Sequence, residues 1–421
     1  MENRYDKYKD SGIAWIGEIP EHWEICKLKN IFLLSTGTTP KEYDKISEGD
    51  NLINWYTPSD ILDGCNDLFS SQRKLSEKVI YENKISPFPI GTLLYVGIGA
   101  SAGKVGYANE KGYSNQQITG LIPTGCYSRF YFYYLSVLKN KIRDNAFFTT
   151  LPIINNVYLG QELIPYTLLS EQQSIATYLD QKCGEIDELI TLQEEMITKL
   201  QSYKQSVITE AVTKGLDKNV PLKDSGIEWI GEIPEHWEVK RLKNVCSQIN
   251  IKENSKENSL PYIGLENIES GSGRYIDTTS EVEGMANRFC KNNVLFGKLR
   301  PYLSKVYLAE KDGICSTEFI VYDTKSNNCR FIHKLLLSQA FIEVVNSSTY
   351  GAKMPRANSD FINNIYVQIP PLSEQQSIAD YLDQKCSEID ELISIKQQKI
   401  EKLKDYKKSL IFECVTGKRK V

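Results

Sequence analysis

The sequence predicts an α+β fold: two mixed α/β domains separated by a pair of long antiparallel helices, arranged as a pseudo-twofold tandem repeat. Three observations lead there. A Trp-rich motif occurs twice, KDSGIAWIGEIPEHWEICKLKN at Lys9–Asn30 and KDSGIEWIGEIPEHWEVKRLKN at Lys223–Asn244. A helix-forming segment also occurs twice, LSEQQSIATYLDQKCGEIDELI from Leu169 and LSEQQSIADYLDQKCSEIDELI from Leu372. Between them each time lies a domain-sized block of short β-branched and aromatic runs broken by Gly, Pro, Asn and Asp, the pattern of strands and turns. Repeats of this length govern the reading of the whole chain.

The elements follow in order. The chain divides into a first domain at 1–168, a first long helix at 169–215, a second domain at 216–371 and a second long helix at 372–421. Four of the five Trp, namely Trp15, Trp23, Trp229 and Trp237, sit in the repeated motif, which reads as a packing clip. The two variable blocks, Ile31–Leu168 and Val245–Pro371, align poorly. One faint echo joins Leu93-Leu94-Tyr95 and Gly103-Lys104-Val105 to Val294-Leu295-Phe296 and Ser304-Lys305-Val306.

Each helix is expected to start at a Ser-Glu-Gln-Gln capping box, with Ser170 and Ser373 as N-caps. Ile175, Leu179, Ile186, Leu189, Met196, Leu200, Tyr203 and Val207 recur at three- and four-residue steps, as a heptad seam with gaps at Lys182 and Gln193. The second helix carries Ile378, Leu382, Ile389, Leu392, Ile395, Ile400, Leu403, Tyr406 and Leu410. Each would run about 45 residues, roughly 67 Å. Two such stripes in one chain most simply bury each other. The short link after Gly215 favours an antiparallel pair, because a parallel one would demand a long return. The expectation is a rod with one globular block at each end. Two unconnected tandem domains with long surface helices remain the alternative.

Composition limits the function. The chain has 421 residues, 41% apolar and 25% charged, which is a globular composition. No apolar run reaches the ~18 residues of a membrane span. The polar start carries no export signal, so the ten Cys read as reduced thiols in a cytoplasm. They form no CxxC pair and no zinc spacing. With a net charge of −4, any nucleic-acid surface must be local. Three His, His22, His236 and His333, leave little for His-based catalysis.

Catalytic motifs are weak. Gly97-Ile98-Gly99-Ala100-Ser101-Ala102 matches a dinucleotide pattern, but Val105-Gly106-Tyr107 reads as a strand where a helix is required. The same segment fails the phosphate-loop spacing. Pro58-Ser59-Asp60 with Glu82-Asn83-Lys84 faintly resembles a metal-nuclease arrangement, and loop charges account for it as well. The Asn/Asp-Pro-Pro-aromatic signature of amino-methyltransferases does not occur; Ile369-Pro370-Pro371-Leu372 is the nearest approach.

What remains is recognition chemistry. Phe296–Lys305 and Tyr350–Arg356 interleave cations with aromatics. Arg and Lys contact phosphates, and Arg grips guanine edges; Asn and Gln amides pair with adenine. Candidate DNA contacts are therefore Lys104, Asn115 and Gln116 in the first block, the last two adjoining Gln117. In the second block they are Lys298, Arg300, Lys305, Lys353 and Arg356. For each residue an ordinary surface role stands beside the functional one. Lys plus Arg against Asp plus Glu balance in the blocks, 12 to 12 and 14 to 13, while the first helix holds 4 to 8. That helix suits protein partners better than phosphate.

Taken together, SGIEWIGEIPEHWEVKRLKN, both LSEQQSIA-x-YLDQK starts and VLFGKLRPYLSKVYLAEKDGICSTEFIVY closely resemble the specificity (S) subunit of type I restriction-modification systems, over essentially the whole chain. The resemblance implies that the blocks are target recognition domains, each reading half of a bipartite, asymmetric double-stranded DNA target. It implies helices that set the spacing and dock two modification subunits, which use S-adenosylmethionine to methylate adenine. Restriction subunits would add ATP- and Mg-dependent cleavage. The chain itself would bind no cofactor and no metal, catalyse nothing, contact no membrane and reside in the cytoplasm. Gly-Ile-Gly-Ala-Ser-Ala lacks the Arg often found there, where the second block has Arg300. A solitary nuclease or methyltransferase and a coiled-coil scaffold without DNA affinity are the competing classes.

Overall fold

The computed structural model describes residues 4–40, 51–62, 67–144, 147–148, 152–255, 259–278, 284–351 and 353–421. They form two units, Met1–Leu192 with Lys399–Val421, and Gln193–Gln398, so each unit holds part of both long helices.

The Trp motif folds alike in both. Tyr8–Asp10 pairs antiparallel with Glu18–Pro20, and Leu222–Asp224 with Glu232–Pro234. Trp23 and Trp237 follow, both fully buried. Each indole N–H donates to a first-turn carboxylate of a long helix, Trp23 to Glu171 at 3.1 Å and Trp237 to Glu374 at 3.0 Å. The neighbouring His22 and His236 rings meet the same carboxylates at 2.9 and 2.6 Å. Burial would raise the Glu171 pKa. Hydrogen bonds from Thr167, Tyr5, His22 and Trp23 outweigh that and hold it lowered. The clip is therefore a buried aromatic tied to a helix start, as the Trp content predicts.

The helices span Leu169–Lys214 and Leu372–Val415. They start one residue before the expected N-caps. The Leu168 carbonyl accepts from the Gln172 N–H, and the Pro371 carbonyl from the Gln375 N–H, so Ser170 and Ser373 lie inside the first turn. The LSEQQ glutamines are used instead: buried Gln172 accepts from the Tyr127 N–H and donates to the Thr167 carbonyl, as Gln375 does with Asn328 and Pro370. Gly215, at φ 75°, closes the first helix with its N–H on the Ala211 carbonyl.

Within each unit the helices run antiparallel. In the first, Asp187 meets Lys407 at 2.7 Å, while Tyr178 lies under Arg419. In the second, Gln193 accepts from Lys396 at 3.4 Å and Lys204 pairs with Asp390 at 2.8 Å. The seam differs from the one read off the sequence. Leu189, Met196, Tyr203, Leu392, Ile395 and Tyr406 are exposed. The inward positions are Leu179, Cys183, Ile186, Ile190, Gln193, Ile197, Leu200, Lys204 and Val207, an unbroken four-three alternation. Lysine stems cover apolar surface while their ammonium groups find a carboxylate. A search for apolar periodicity passes over such positions.

Each variable block carries an antiparallel sheet of the same order. In the first unit Phe32–Thr36, Ile118–Pro123, Leu93–Val96 and Val105–Ala108 lie side by side, and Asp67–Leu68 adds a parallel edge. In the second the order is Ser247–Ile249, Phe319–Asp323, Val294–Gly297 and Val306–Leu308. The faint sequence echo falls on equivalent strands. Helix Ser128–Asp144 in one unit and helices Cys329–Leu337 and Gln339–Ser347 in the other accompany these sheets. Their apolar residues join the clip Trp and the long helices in one core per unit.

Candidate nucleic-acid interface

In each unit a short turn joins two neighbouring antiparallel strands, Leu93–Val96 to Val105–Ala108 and Val294–Gly297 to Val306–Leu308, and a distant segment crosses it. In the second unit the turn is Lys298–Ser304 and the crossing segment contains Pro355–Ala357. The Arg300 N–H donates to the Pro355 carbonyl at 2.7 Å, and the Ala357 N–H to the Lys298 carbonyl at 2.9 Å. The Lys298 N–H reaches the Glu318 carbonyl at 3.0 Å. In the first unit the Gly99 N–H donates to Pro152 at 3.2 Å and Ile154 to Gly97 at 2.8 Å. The Gly97 N–H donates to Gln117 at 2.8 Å. The bonding pattern is the same, with Gly99 in the place of Arg300, Gln117 in that of Glu318 and Ile153 in that of Arg356. Isolated bridges pair Ile98 with Ile153 and Leu299 with Arg356.

Backbone conformation matches too. Gly99 and Gly103 have φ of 102° and 92°; Arg300 and Ser304, at the same places, have 52° and 49°. Glycine enters this region freely, whereas a side chain there costs roughly 1–3 kcal/mol and gathers at functional sites. The segment reads as strand–turn–strand with Ala102 buried, so no dinucleotide fold forms around it.

The second-block candidates largely come together. Lys298, Arg300 and Arg356 sit on the bridged segments, and no ion-pair partner occurs for Lys298, Arg300 or Lys353 among the described residues. Arg356 donates to Glu318 through Nε at 3.1 Å and Nη2 at 2.8 Å. Tyr302, Tyr350 and Met354 stand exposed around them. Lys353 is exposed on the turn beside Gly351. Lys305 is turned to the protein: its ammonium donates to the Leu265 carbonyl at 2.7 Å, and burial lowers its pKa despite Glu266. In the first unit Lys104 is half-buried at the end of the turn. The Asn115 amide donates to Gln117 at 3.0 Å, and exposed Gln116 accepts from the Thr39 hydroxyl. Asp60, offered above as a nuclease carboxylate, accepts from the Thr57 and Gln72 N–H groups at 2.7 Å and shapes a turn.

The profile of the type I restriction modification DNA specificity domain matches this chain twice, at residues 20–201 and 234–405. The chain belongs to that family. Its relatives include the type I restriction enzyme MjaIX specificity subunit of Methanocaldococcus jannaschii, 26% identical over 96% of this chain and 95% of that one. The EcoDI specificity subunit of Escherichia coli is 22% identical over 87% and 82%. A chain solved in work on complex assembly and conformational transition of the type I R-M system superposes with a TM-score of 0.72 at 14% identity, covering 94% of this chain and 98% of that one. The HsdS subunit from Thermoanaerobacter tengcongensis gives 0.54 at 14% identity over 95% and 98%. These likenesses concern the fold.

Within the specificity family's doubled frame, two residues carry no signal in the sequence, Glu318 and Ile153, while Gln117 is one of the amides beside Asn115 and Gln116 that the sequence already offers. Gln117 and Glu318 each stand immediately before a strand, Ile118–Pro123 and Phe319–Asp323, an equivalence visible only once the strands are aligned. Ile153 and Arg356 come from segments far along the chain, and spacing alone does not place them.

Proposed function

We propose that this chain is the DNA sequence-specificity subunit of a type I restriction-modification complex. Each unit's block reads one half of a bipartite, asymmetric target, and the long helices set the spacing and dock the modification subunits. The carrying observation is one crossed-turn frame built twice with different side chains on it. Exposed Leu189, Met196, Leu392 and Ile395 on the helices supply apolar surface for docking. The chemistry belongs to the partners: S-adenosylmethionine on two modification subunits, ATP and Mg on restriction subunits, none on this chain. DNA contacts come from Lys298, Arg300, Lys353 and Arg356 in the second block, with Asn115, Gln116 and Lys104 in the first. Lys305 reaches DNA only if it leaves Leu265. Among the described residues no helix is long and apolar enough to cross a membrane, in keeping with work on cytoplasmic DNA.

With a net charge of −4, the lone chain makes few phosphate contacts. It should bind duplex DNA weakly with a shallow salt slope, and the complex tightly with a steep one. Gel shifts at several salt concentrations test this; equal affinity and slope for chain and complex would refute it. Turnover of DNA by the pure chain with Mg²⁺ and S-adenosylmethionine would favour the solitary enzyme instead.

A further inference from the structure

The Arg356–Glu318 pair has a geometry that a surface ion pair does not require. The carboxylate takes the guanidinium side-on, through Nε and Nη2. An Arg has five N–H donors in one plane. Two are used here, so both N–H of Nη1 and one of Nη2 remain, and one from each nitrogen forms the end-on fork. The plane is fixed and the fork is left open. The Arg356 side chain is 45% exposed, so the fork is within reach of a ligand, whereas Glu318 is 24% exposed.

Both partners rest on fixed backbone. Arg356 exchanges hydrogen bonds with Tyr350 at 3.1 and 3.3 Å, and its neighbours Pro355 and Ala357 are bonded to the Arg300 turn. Glu318 accepts through its carbonyl from the Lys298 N–H, and its own N–H donates to the Ser316 hydroxyl at 3.2 Å. A side chain held this way has lost its rotamer freedom before any ligand arrives, which favours directional over diffuse contacts. A phosphate can take the same fork, but its oxygens accept from many directions and do not require one fixed plane. The O6 and N7 acceptors of guanine match an end-on guanidinium fork.

We infer that Arg356 reads a guanine in the second half-site and that Glu318 is its positioning residue. The first unit has Ile153 and Gln117 at the two places, so it reads no guanine there; its Asn115–Gln117 amide pair suits another edge. This rests on the reading of the chain as a DNA specificity subunit.

The test uses the complete complex with modification subunits. Methylation is measured on a duplex library randomised over both half-sites. Glu318→Gln keeps the shape but gives Arg356 an amide in place of two acceptor oxygens. Preference for guanine at one position of the second half-site should fall about tenfold, with the first half-site unchanged. Arg356→Ala should lose about 5- to 150-fold of that preference, the range of one bidentate base contact. Adding Glu318→Gln to Arg356→Ala should change nothing further. Uniform weakening across all sequences would mean a phosphate contact and overturn the inference, as would an unchanged base profile in Glu318→Gln. Melting of each variant separates misfolding: if Glu318→Gln melts early, Glu318→Asp must still shift the same single base, and failure to do so rejects the role. Absence of any bipartite preference in the unsubstituted complex would remove the specificity reading itself.

Discussion

The turn at Gly97–Gly103 and the turn at Lys298–Ser304 share a backbone and share almost no side chains. Both are crossed by a later segment through the same hydrogen bonds. Both enter the left-handed region at the same two places. Yet one displays glycines, alanines and an isoleucine, and the other two arginines, a lysine and a glutamate. The lesson is a division of labour. Main-chain hydrogen bonds and buried strands hold the frame, so the side chains on it are free to change. The Trp clips teach the converse: there sequence, contacts and burial coincide in both units, as structural parts that carry no target information would.

The comparison breaks first at the clips. Trp23→Ala and Trp237→Ala each remove a fully buried indole, and each should destabilise its own unit by about 3–5 kcal/mol. Denaturant unfolding checks this. A large loss from one and a small loss from the other would show that the two clips are not equivalent.

Arg300→Ala sharpens the difference between the turns. It should cost about 1–3 kcal/mol of discrimination at one base of the second half-site and leave the first untouched. Library methylation reads both halves at once. Uniform weakening assigns Arg300 to phosphate, and no change removes it from the interface.

The smallest effect lies in the first turn. A methyl at Gly99 would meet only Gln117 Nε2, at 3.9 Å, so space is not the obstacle. The φ of 102° is, and Gly99→Ala should destabilise the first unit by about 1–2 kcal/mol. A neutral result by thermal melting would mean that the frame does not depend on glycine there.

Much of the architecture was legible because it rests on repeated, strongly patterned residues. The doubled motif, the buried Trp and both long helices follow from Trp content, Pro-free length and the LSEQQ starts. The helix caps were displaced by one residue, because Gln172 and Gln375 make tertiary bonds that no local rule contains. The seam differs where buried Lys204 and half-buried Lys407 occupy it, since an inward lysine is invisible to an apolar period until its carboxylate is known. At the interface, the clustering of Lys298 and Arg300 could be read from adjacency. Glu318 could not: its partner lies 38 residues away and meets it only through the crossed turn.

The central claim is that one chain presents two readers at a separation set by its helices. Deleting Thr191–Ile197 together with Ser394–Ile400 removes one heptad from each helix. It keeps the seam in phase and retains Asp187, Lys204, Asp390 and Lys407. Each helix loses about 10 Å, comparable to ~3 base pairs at 3.4 Å each. The measurement is methylation by the assembled complex of a DNA library with both half-sites fixed and the spacer varied. The account predicts that both half-sites are retained and the preferred spacer becomes shorter. An unchanged spacer in a folded, active complex would contradict it.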